Sequence, residues 1–412
     1  MPLRLAHRRT ALIGVAALTL AALSSSGSAA TALPLPEHDS FYRWSGPLSQ
    51  LPPGTPLRER TVTLAATTTQ TPLEATQVLY RTTDATGHPA VSVTTVVLPA
   101  AGTVAPKVVA YLSFYDAFTS RCDPSFTLRG GDSGPANAGQ AEAEQAVVHT
   151  LRADGYVVTV PDFENTGLHF MAGTESGMST LDGIRATLAV LKLGSSTPVG
   201  MMGYSGGSIA ADFASELAPR YAPQLNLVGT ALGGVPVNLA NILRYVDGDP
   251  KWSSITPAVL LGLARAYRID LAPYLSPLGA KVVQTVSHQC IGEFPGNLTI
   301  KQLLKPQYGD TNRIPALRKA LGKLVMGSGR PTTPMLIVAG NLDGTGDGVT
   351  IAADQHALAR EYCGQGVPVG YEEVPHGEHT QTGFAFMPEA FAFLASRFAG
   401  TPPVSSCALP TG

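Results

Sequence analysis

Residues 199–212 read Val199-Gly-Met-Met-Gly203-Tyr204-Ser205-Gly206-Gly207-Ser208-Ile-Ala-Ala-Asp212. A short apolar run closes on Gly203-Tyr-Ser-Gly-Gly207, and small residues follow at once. The run reads as a buried strand and the residues from Ser208 to Leu217 as a helix, so Ser205 falls on the turn between them. A serine hydroxyl is a poor nucleophile until a neighbouring base takes its proton. A tight strand-to-helix turn exposes the hydroxyl, and flanking glycines remove side chains that would collide with it. The helix start also directs backbone N–H groups, notably that of Gly206, to the place where an oxyanion would form. With 43 glycines in the chain the pentapeptide alone is weak. Its strand-turn-helix setting is what makes Ser205 the candidate nucleophile rather than an ordinary glycine-rich turn.

On the N-terminal side, Thr61–Thr69, Ala75–Thr82 and Ala90–Leu98 are rich in Thr and Val and are separated by turn signals such as Asp84-Ala-Thr-Gly87. Continuous apolar runs then alternate with helical spacing. Strands are expected at Lys107–Phe114 and Tyr156–Val160, and helices at Ala141–Asp154 and Leu181–Leu193. After the elbow come a strand at Leu225–Leu232, another at Met335–Ala339, a helix at Val349–Tyr362, a strand at Val367–Val374 and a helix at Phe384–Phe398. Buried apolar strands alternating with helices argue for an α/β fold with a mostly parallel sheet covered on both faces. Residues 237–330 break the rhythm. They hold helix-like pieces at Leu239–Val246, Pro257–Tyr267 and Ile314–Val325, and read as a helical cap or lid inserted into the sheet domain.

In a fold of this order, an acid and then a histidine should follow the serine in the chain. Two carboxylates stand after the strand at Met335, in Gly340-Asn-Leu-Asp343-Gly-Thr-Gly-Asp347-Gly-Val349. Asp347 is the expected acid because its spacing to the following helix needs no gap; Asp343, three residues after Gly340, is the alternative, and the other of the two is a structural loop residue, since aspartate beside glycine is a routine turn former. For the base, Pro375-His376-Gly-Glu-His379 follows the last strand, and His379 lies closest to the final helix. Imidazole is the side chain suited to shuttling a proton near neutral pH. Asp162 and Glu164 precede the serine and are expected near the rim of the site.

Bulk properties limit the alternatives. A formal net charge of -2 offers no basic face for nucleic acid, and 14% charged residues with 33 prolines suit a loop-rich folded enzyme. The start is basic (Met1 to Arg9), then apolar from Ala11 to Leu23, then rich in Ser, Gly and Ala up to Ala32. That order predicts a signal peptide over residues 1–32, because the apolar run is shorter than the roughly 20 residues a membrane span requires. The exported chain is expected to be soluble and monomeric, without an integral membrane segment. Its domain organisation is read as core 33–236, cap 237–330 and core 331–412. Four cysteines, Cys122, Cys290, Cys363 and Cys407, lack Cys-x-x-Cys spacing. In an exported chain they read as two disulfides with three pairings open, and no metal site is expected.

Together these residues resemble the secretory lipase family typified by fungal lipase A. The matching stretches are Cys122-Asp-Pro-Ser-Phe, Val157-Val-Thr-Val-Pro-Asp-Phe-Glu, Leu181-Asp-Gly-Ile-Arg-Ala, the elbow itself, Gly233-Gly-Val-Pro-Val-Asn-Leu and Tyr362-Cys-Gly-Gln-Gly-Val-Pro-Val. The resemblance implies an α/β-hydrolase with a late helical cap, disulfides Cys122–Cys290 and Cys363–Cys407, and an oxyanion hole combining Gly206 with an aspartate before Cys122. Asp116 is the aspartate at that place. Hydrolysis of carboxylic esters would need neither metal nor organic cofactor. Its partner would be a lipid or small ester substrate, with transient contact between cap and lipid interface. A carboxylesterase for short soluble esters and a catalytically inactive binding protein of the same fold are the rival expectations.

Overall fold

A computed structural model describes residues 33–67, 69–100, 106–132 and 134–408. The expected signal peptide, residues 1–32, lies outside the described residues. Nine strands form one sheet among these residues: β1 (Pro56–Leu64), β2 (Leu73–Thr83), β3 (Pro89–Val97), β4 (Val108–Leu112), β5 (Val157–Pro161), β6 (Pro198–Tyr204), β7 (Asn226–Gly233), β8 (Met335–Asn341) and β9 (Val369–Pro375). Their order is β1-β2-β3-β5-β4-β6-β7-β8-β9. Pairing is antiparallel from β1 through β3 to β5 and parallel from β5 to β9.

The helices are α1 (Pro124–Thr127), α2 (Pro135–Ala153), α3 (Gly173–Val190), α4 (Gly206–Tyr221), α5 (Leu239–Tyr245), α6 (Ile255–Tyr267), α7 (Pro277–Val286), α8 (Ile300–Leu303), α9 (Pro315–Gly322), α10 (Ala352–Gly364) and α11 (His379–Phe398). Successive residues of a strand point to opposite faces, so a strand buried on both sides must be apolar throughout. In β4, Val108, Ala110 and Leu112 join a core with α3, α4 and α10, while Val109 and Tyr111 join one with α2 and α11. This two-sided burial is why Lys107–Phe114 reads as an unbroken apolar run.

The chain between β7 and β8 is helical. Helix α7 was not foreseen: Ser276 caps it by accepting from Gly279 N–H at 2.9 Å, and Pro277 opens it. That pairing of a serine cap with a first-turn proline is a start signal legible in sequence. Helix α11 begins at His379, ahead of the expected Phe384, because the Glu378 side chain accepts from Thr380 N–H at 2.8 Å and so provides the cap.

The helical stretch is tied to the sheet at several points. Cys122 is bonded to Cys290, and Phe118 N–H donates to the Gln289 carbonyl at 3.1 Å. Where the chain returns to β8, Glu216 of α4 accepts from Gly327 and Gly329 N–H at 2.5 and 2.7 Å. Cys363 is bonded to Cys407, which fastens the C-terminal segment to α10. The Cys122–Cys290 loop spans 168 residues. Replacing both of these cysteines by serine is expected to cost about 2–4 kcal/mol, because the unfolded chain regains that loop's freedom. A thermal midpoint unchanged from wild type would contradict this.

Candidate active site

The site lies at the C-terminal ends of β4, β6, β8 and β9, the edge where open α/β sheets carry their ligands. Ser205 follows β6 and caps α4 with φ 53° and ψ −121°, a conformation L-residues rarely adopt. Its N–H is held by the Gly233 carbonyl of β7 at 2.9 Å, and its carbonyl accepts from Ser208 N–H at 2.9 Å and from Ser208 Oγ at 2.6 Å. The flanking glycines are required by close approach. A Cβ at 203 would strike the Gly207 carbonyl, and one at 207 the Leu112 carbonyl. The strain therefore sits on a tightly determined turn that leaves the Ser205 side chain partly exposed.

His379 Nε2 stands 2.9 Å from Ser205 Oγ, and His379 Nδ1 stands 2.7 Å from Asp347 Oδ2. His379 N–H also donates to the Asp347 carbonyl at 2.9 Å, so backbone and ring are aligned by the same residue. The imidazole lies between Tyr204, at 5.2 Å between ring centroids, and Trp252, at 5.3 Å with nearly perpendicular planes. The Tyr204 hydroxyl donates to the His379 carbonyl. Asp347 is fully buried, and its Oδ1 accepts from Val349 N–H at 2.9 Å and Thr350 N–H at 2.6 Å. Its Oδ2 also accepts from Thr350 Oγ1 at 2.9 Å. Burial pushes its pKa up, but the facing His379 and these hydrogen bonds outweigh that and leave it below the usual carboxylate value.

Asp343 and His376 are not brought to this line. Asp343 is exposed and accepts from Thr345 and Gly346 N–H at 2.8 and 2.9 Å and from the Tyr245 hydroxyl at 3.1 Å. It closes the turn that presents Asp347, and Tyr245 of α5 also accepts from Gly348 N–H at 3.1 Å. His376 is exposed, with its N–H on the Asn341 carbonyl. Tyr204, Tyr245 and Trp252 were missed by sequence reasoning. Tyr204 occupies the variable place of the pentapeptide, while the other two come from the stretch between β7 and β8.

Asp116 lies on the loop after β4, buried against Gly206, where a Cβ would collide with its carboxyl. Gly206 is the first residue of α4, so its N–H has no carbonyl a turn behind it within the helix. Burial, then the charge of Glu144, holds the Asp116 carboxyl well above the usual carboxylate range. The Asp116 carbonyl accepts from Ile291 N–H at 3.0 Å, which ties this loop to the segment around Cys290. Asp162 accepts from Ser125 N–H at 2.9 Å, and Glu164 from Ala117 N–H at 3.3 Å. Glu164 therefore braces the loop that carries Asp116, and Asp162 the first turn of α1. No cluster of three or more His, Cys, Asp or Glu side chains among the described residues is placed to hold a metal ion.

With its sheet turning parallel beyond β3 and helices on both faces, the protein is an α/β-hydrolase. Comparison narrows the class. The secretory lipase family profile matches residues 133–406. The chain is 31% identical to lipase A of Arthroderma benhamiae over 392 residues, 91% of this chain and 82% of the relative. It is 32% identical to a probable inactive lipase of Mycobacterium tuberculosis over 382 residues, 89% of this chain and 83% of the relative. It is 33% identical to a secreted triacylglycerol lipase of Malassezia globosa over 390 residues, 90% of this chain and 81% of the relative. Candida antarctica lipase A in its closed state superposes with a TM-score of 0.83 at 26% identity, covering 92% of this chain and 90% of that one. The chain belongs to the secretory lipase family, and it is an ester hydrolase acting on lipid esters.

Proposed function

We propose that the protein is an exported lipase that cleaves acylglycerols or related lipid esters through an acyl-enzyme on Ser205. The hydrogen-bonded line Asp347–His379–Ser205 carries this reading. His379 Nε2 takes the proton from Ser205 Oγ as the oxygen attacks the ester carbonyl carbon. Asp347 keeps Nδ1 protonated and stabilises the imidazolium. His379 returns the proton to the departing alcohol, and water, activated in the same way, hydrolyses the acyl-enzyme. The tetrahedral oxyanion is held by Gly206 N–H and by the Asp116 carboxyl, which donates in the protonated form that burial favours.

Residues 237–330 act as the cap. Trp252 from this stretch packs on the catalytic imidazole, and Lys251 pairs with Glu378 beside it at 3.2 Å. The cap would make the transient contact with a lipid interface. Export through a signal peptide over residues 1–32 fits the relatives named as secreted lipases. No helix among the described residues is long and apolar enough to cross a membrane. A monomer suffices, because every group of the mechanism comes from one chain. One relative is named a probable inactive lipase, but here the serine, histidine and aspartate contacts are unbroken, which favours a working enzyme.

The test is hydrolysis of p-nitrophenyl esters from acetate to palmitate, together with a triacylglycerol emulsion. A rate optimum at medium or long chains with release of fatty acid from the emulsion supports the reading. Activity confined to acetate and butyrate would make the protein a soluble-ester esterase instead. In the same assay Asp116→Ala is expected to lower kcat by about 100-fold or more, the usual cost of one oxyanion donor. A variant within threefold of wild type would remove Asp116 from the oxyanion hole.

A further inference from the structure

The loop carrying Asp116 is gripped from two sides by buried carboxyls that touch none of Ser205, His379 or Asp347. From α2, Glu144 Oε1 accepts from Ser113 Oγ at 2.5 Å and from Phe114 N–H at 3.1 Å. Ser113 Oγ in turn accepts from Tyr115 N–H at 3.1 Å. From the loop after β5, Glu164 Oε2 accepts from Ala117 N–H, while Glu164 N–H donates to the Tyr115 hydroxyl at 2.8 Å. Every residue from Ser113 to Ala117 is thus held directly or through a neighbour, apart from the Asp116 side chain itself.

Asp116, Glu144 and Glu164 are 3%, 1% and 1% exposed, and burial pushes all three carboxyls up, Glu144 to about 7 and the other two well above the usual carboxylate range. The basic group facing Glu164 is Arg265 of α6, which is engaged by the Phe118 and Ser287 carbonyls at 3.2 Å each. The remaining titratable neighbours are carboxyls and two buried tyrosines, Tyr111 facing Glu144 and Tyr115 facing Glu164. Asp123, at the start of α1, faces Glu164 and is itself faced by Asp162; Glu175 of α3 also acts on Glu164 and is paired with His169. The Cys122–Cys290 disulfide beside Asp116 does not titrate.

Three buried carboxyls with one guanidinium, which acts on Glu164 alone, cannot all carry charge, since like charges at short range in a dry site disfavour each other's ionisation. The proton should stay where hydrogen-bond donors are fewest. Glu144 is hydrogen-bonded by Ser113, Phe114 and Gln140 and Glu164 by Ala117, whereas the Asp116 carboxyl receives no hydrogen bond from the described residues. We propose that Glu144 and Glu164 are positioning residues of the reaction: they fix the oxyanion loop and keep the Asp116 carboxyl neutral, so that it donates to the oxyanion up to the alkaline limit of activity. This rests on the oxyanion role proposed for Asp116.

The test is kcat/KM against pH for p-nitrophenyl butyrate in the wild type, Glu144→Gln, Glu164→Gln and Asp116→Asn, with thermal midpoints confirming that each variant is folded. Glutamine still accepts the loop's hydrogen bonds but carries no charge. Each glutamine variant is expected to move the alkaline limb to lower pH by about one unit, because removing a like charge eases ionisation of Asp116. Asp116→Asn should lose that limb, since an amide donates without titrating. If Asp116→Asn loses the limb and the glutamine variants leave it in place, the two glutamates are tethers only and the inference fails while the oxyanion hole stands. If Asp116→Asn retains the limb, the oxyanion role itself falls, and the inference with it. Should one glutamine variant not fold, the other tests the same direction from the opposite side of the loop.

Discussion

Ser205→Ala is expected to lower kcat on p-nitrophenyl esters by about a million-fold while leaving the folded structure intact. The scale follows from the interdependence of the three groups: without the hydroxyl, His379 has no proton to take and Asp347 no imidazolium to stabilise. What remains is the contribution of the oxyanion hole and substrate binding, which act on water attack alone. Stability should respond separately. Ser205 is held at φ 53° and ψ −121° between the Gly233 carbonyl and the turn of α4. Alanine inherits that strain, so its thermal midpoint should stay near wild type. Glycine adopts such a conformation without penalty, and Ser205→Gly is expected to stabilise by about 1 kcal/mol while being equally inactive. An alanine variant retaining a tenth of wild-type kcat would place the nucleophile elsewhere.

The second large effect separates two aspartates four positions apart. Asp347→Asn is expected to reduce kcat by about 10,000-fold, whereas Asp343→Asn should stay within about fivefold. Asparagine at 347 can present an N–H to His379 Nδ1, which favours the tautomer that cannot accept the Ser205 proton. Asp343 organises the Thr345–Gly346 turn and meets Tyr245, so its replacement loosens the loop without touching the imidazole. The two differ in pH linkage as well. The folded-state pKa of Asp347 is depressed, so its ionised form stabilises the fold above the ordinary carboxylate value of about 3.9. That contribution is lost as pH falls below this value through the folded-state pKa, and Asp347→Asn should flatten acid denaturation there. Equal losses of kcat in the two variants would contradict the assignment of the acid.

Much of the fold was legible because burial on both sheet faces writes itself into sequence as uninterrupted apolar strands. The parallel region from β4 to β9 was therefore readable from runs such as Val157–Val160, and Ser205 from the junction of one such run with small helical residues. The proposed acid was less legible. Asp343 and Asp347 share a glycine-rich loop, and spacing cannot report that one is solvent-exposed while the other receives Val349 and Thr350 N–H. Pairing of the cysteines came with the family resemblance, since spacing left three options open. The residues that pack on the histidine were hidden for a different reason. Tyr204 is an ordinary strand-end aromatic and Trp252 lies more than 120 positions before His379, so only tertiary structure juxtaposes them. Glu144 shows the same limit, since its place on α2 looks like any helical glutamate until Ser113 and Phe114 are seen beneath it.

The most direct test of an acyl-enzyme mechanism is covalent trapping with a fluorophosphonate, followed by mass-spectrometric mapping of the adduct. One phosphonylated site, Ser205, is expected, with labelling suppressed in the Asp347→Asn variant and absent in Ser205→Ala. A folded wild-type protein that takes no label, or takes it on another residue, would contradict the central claim.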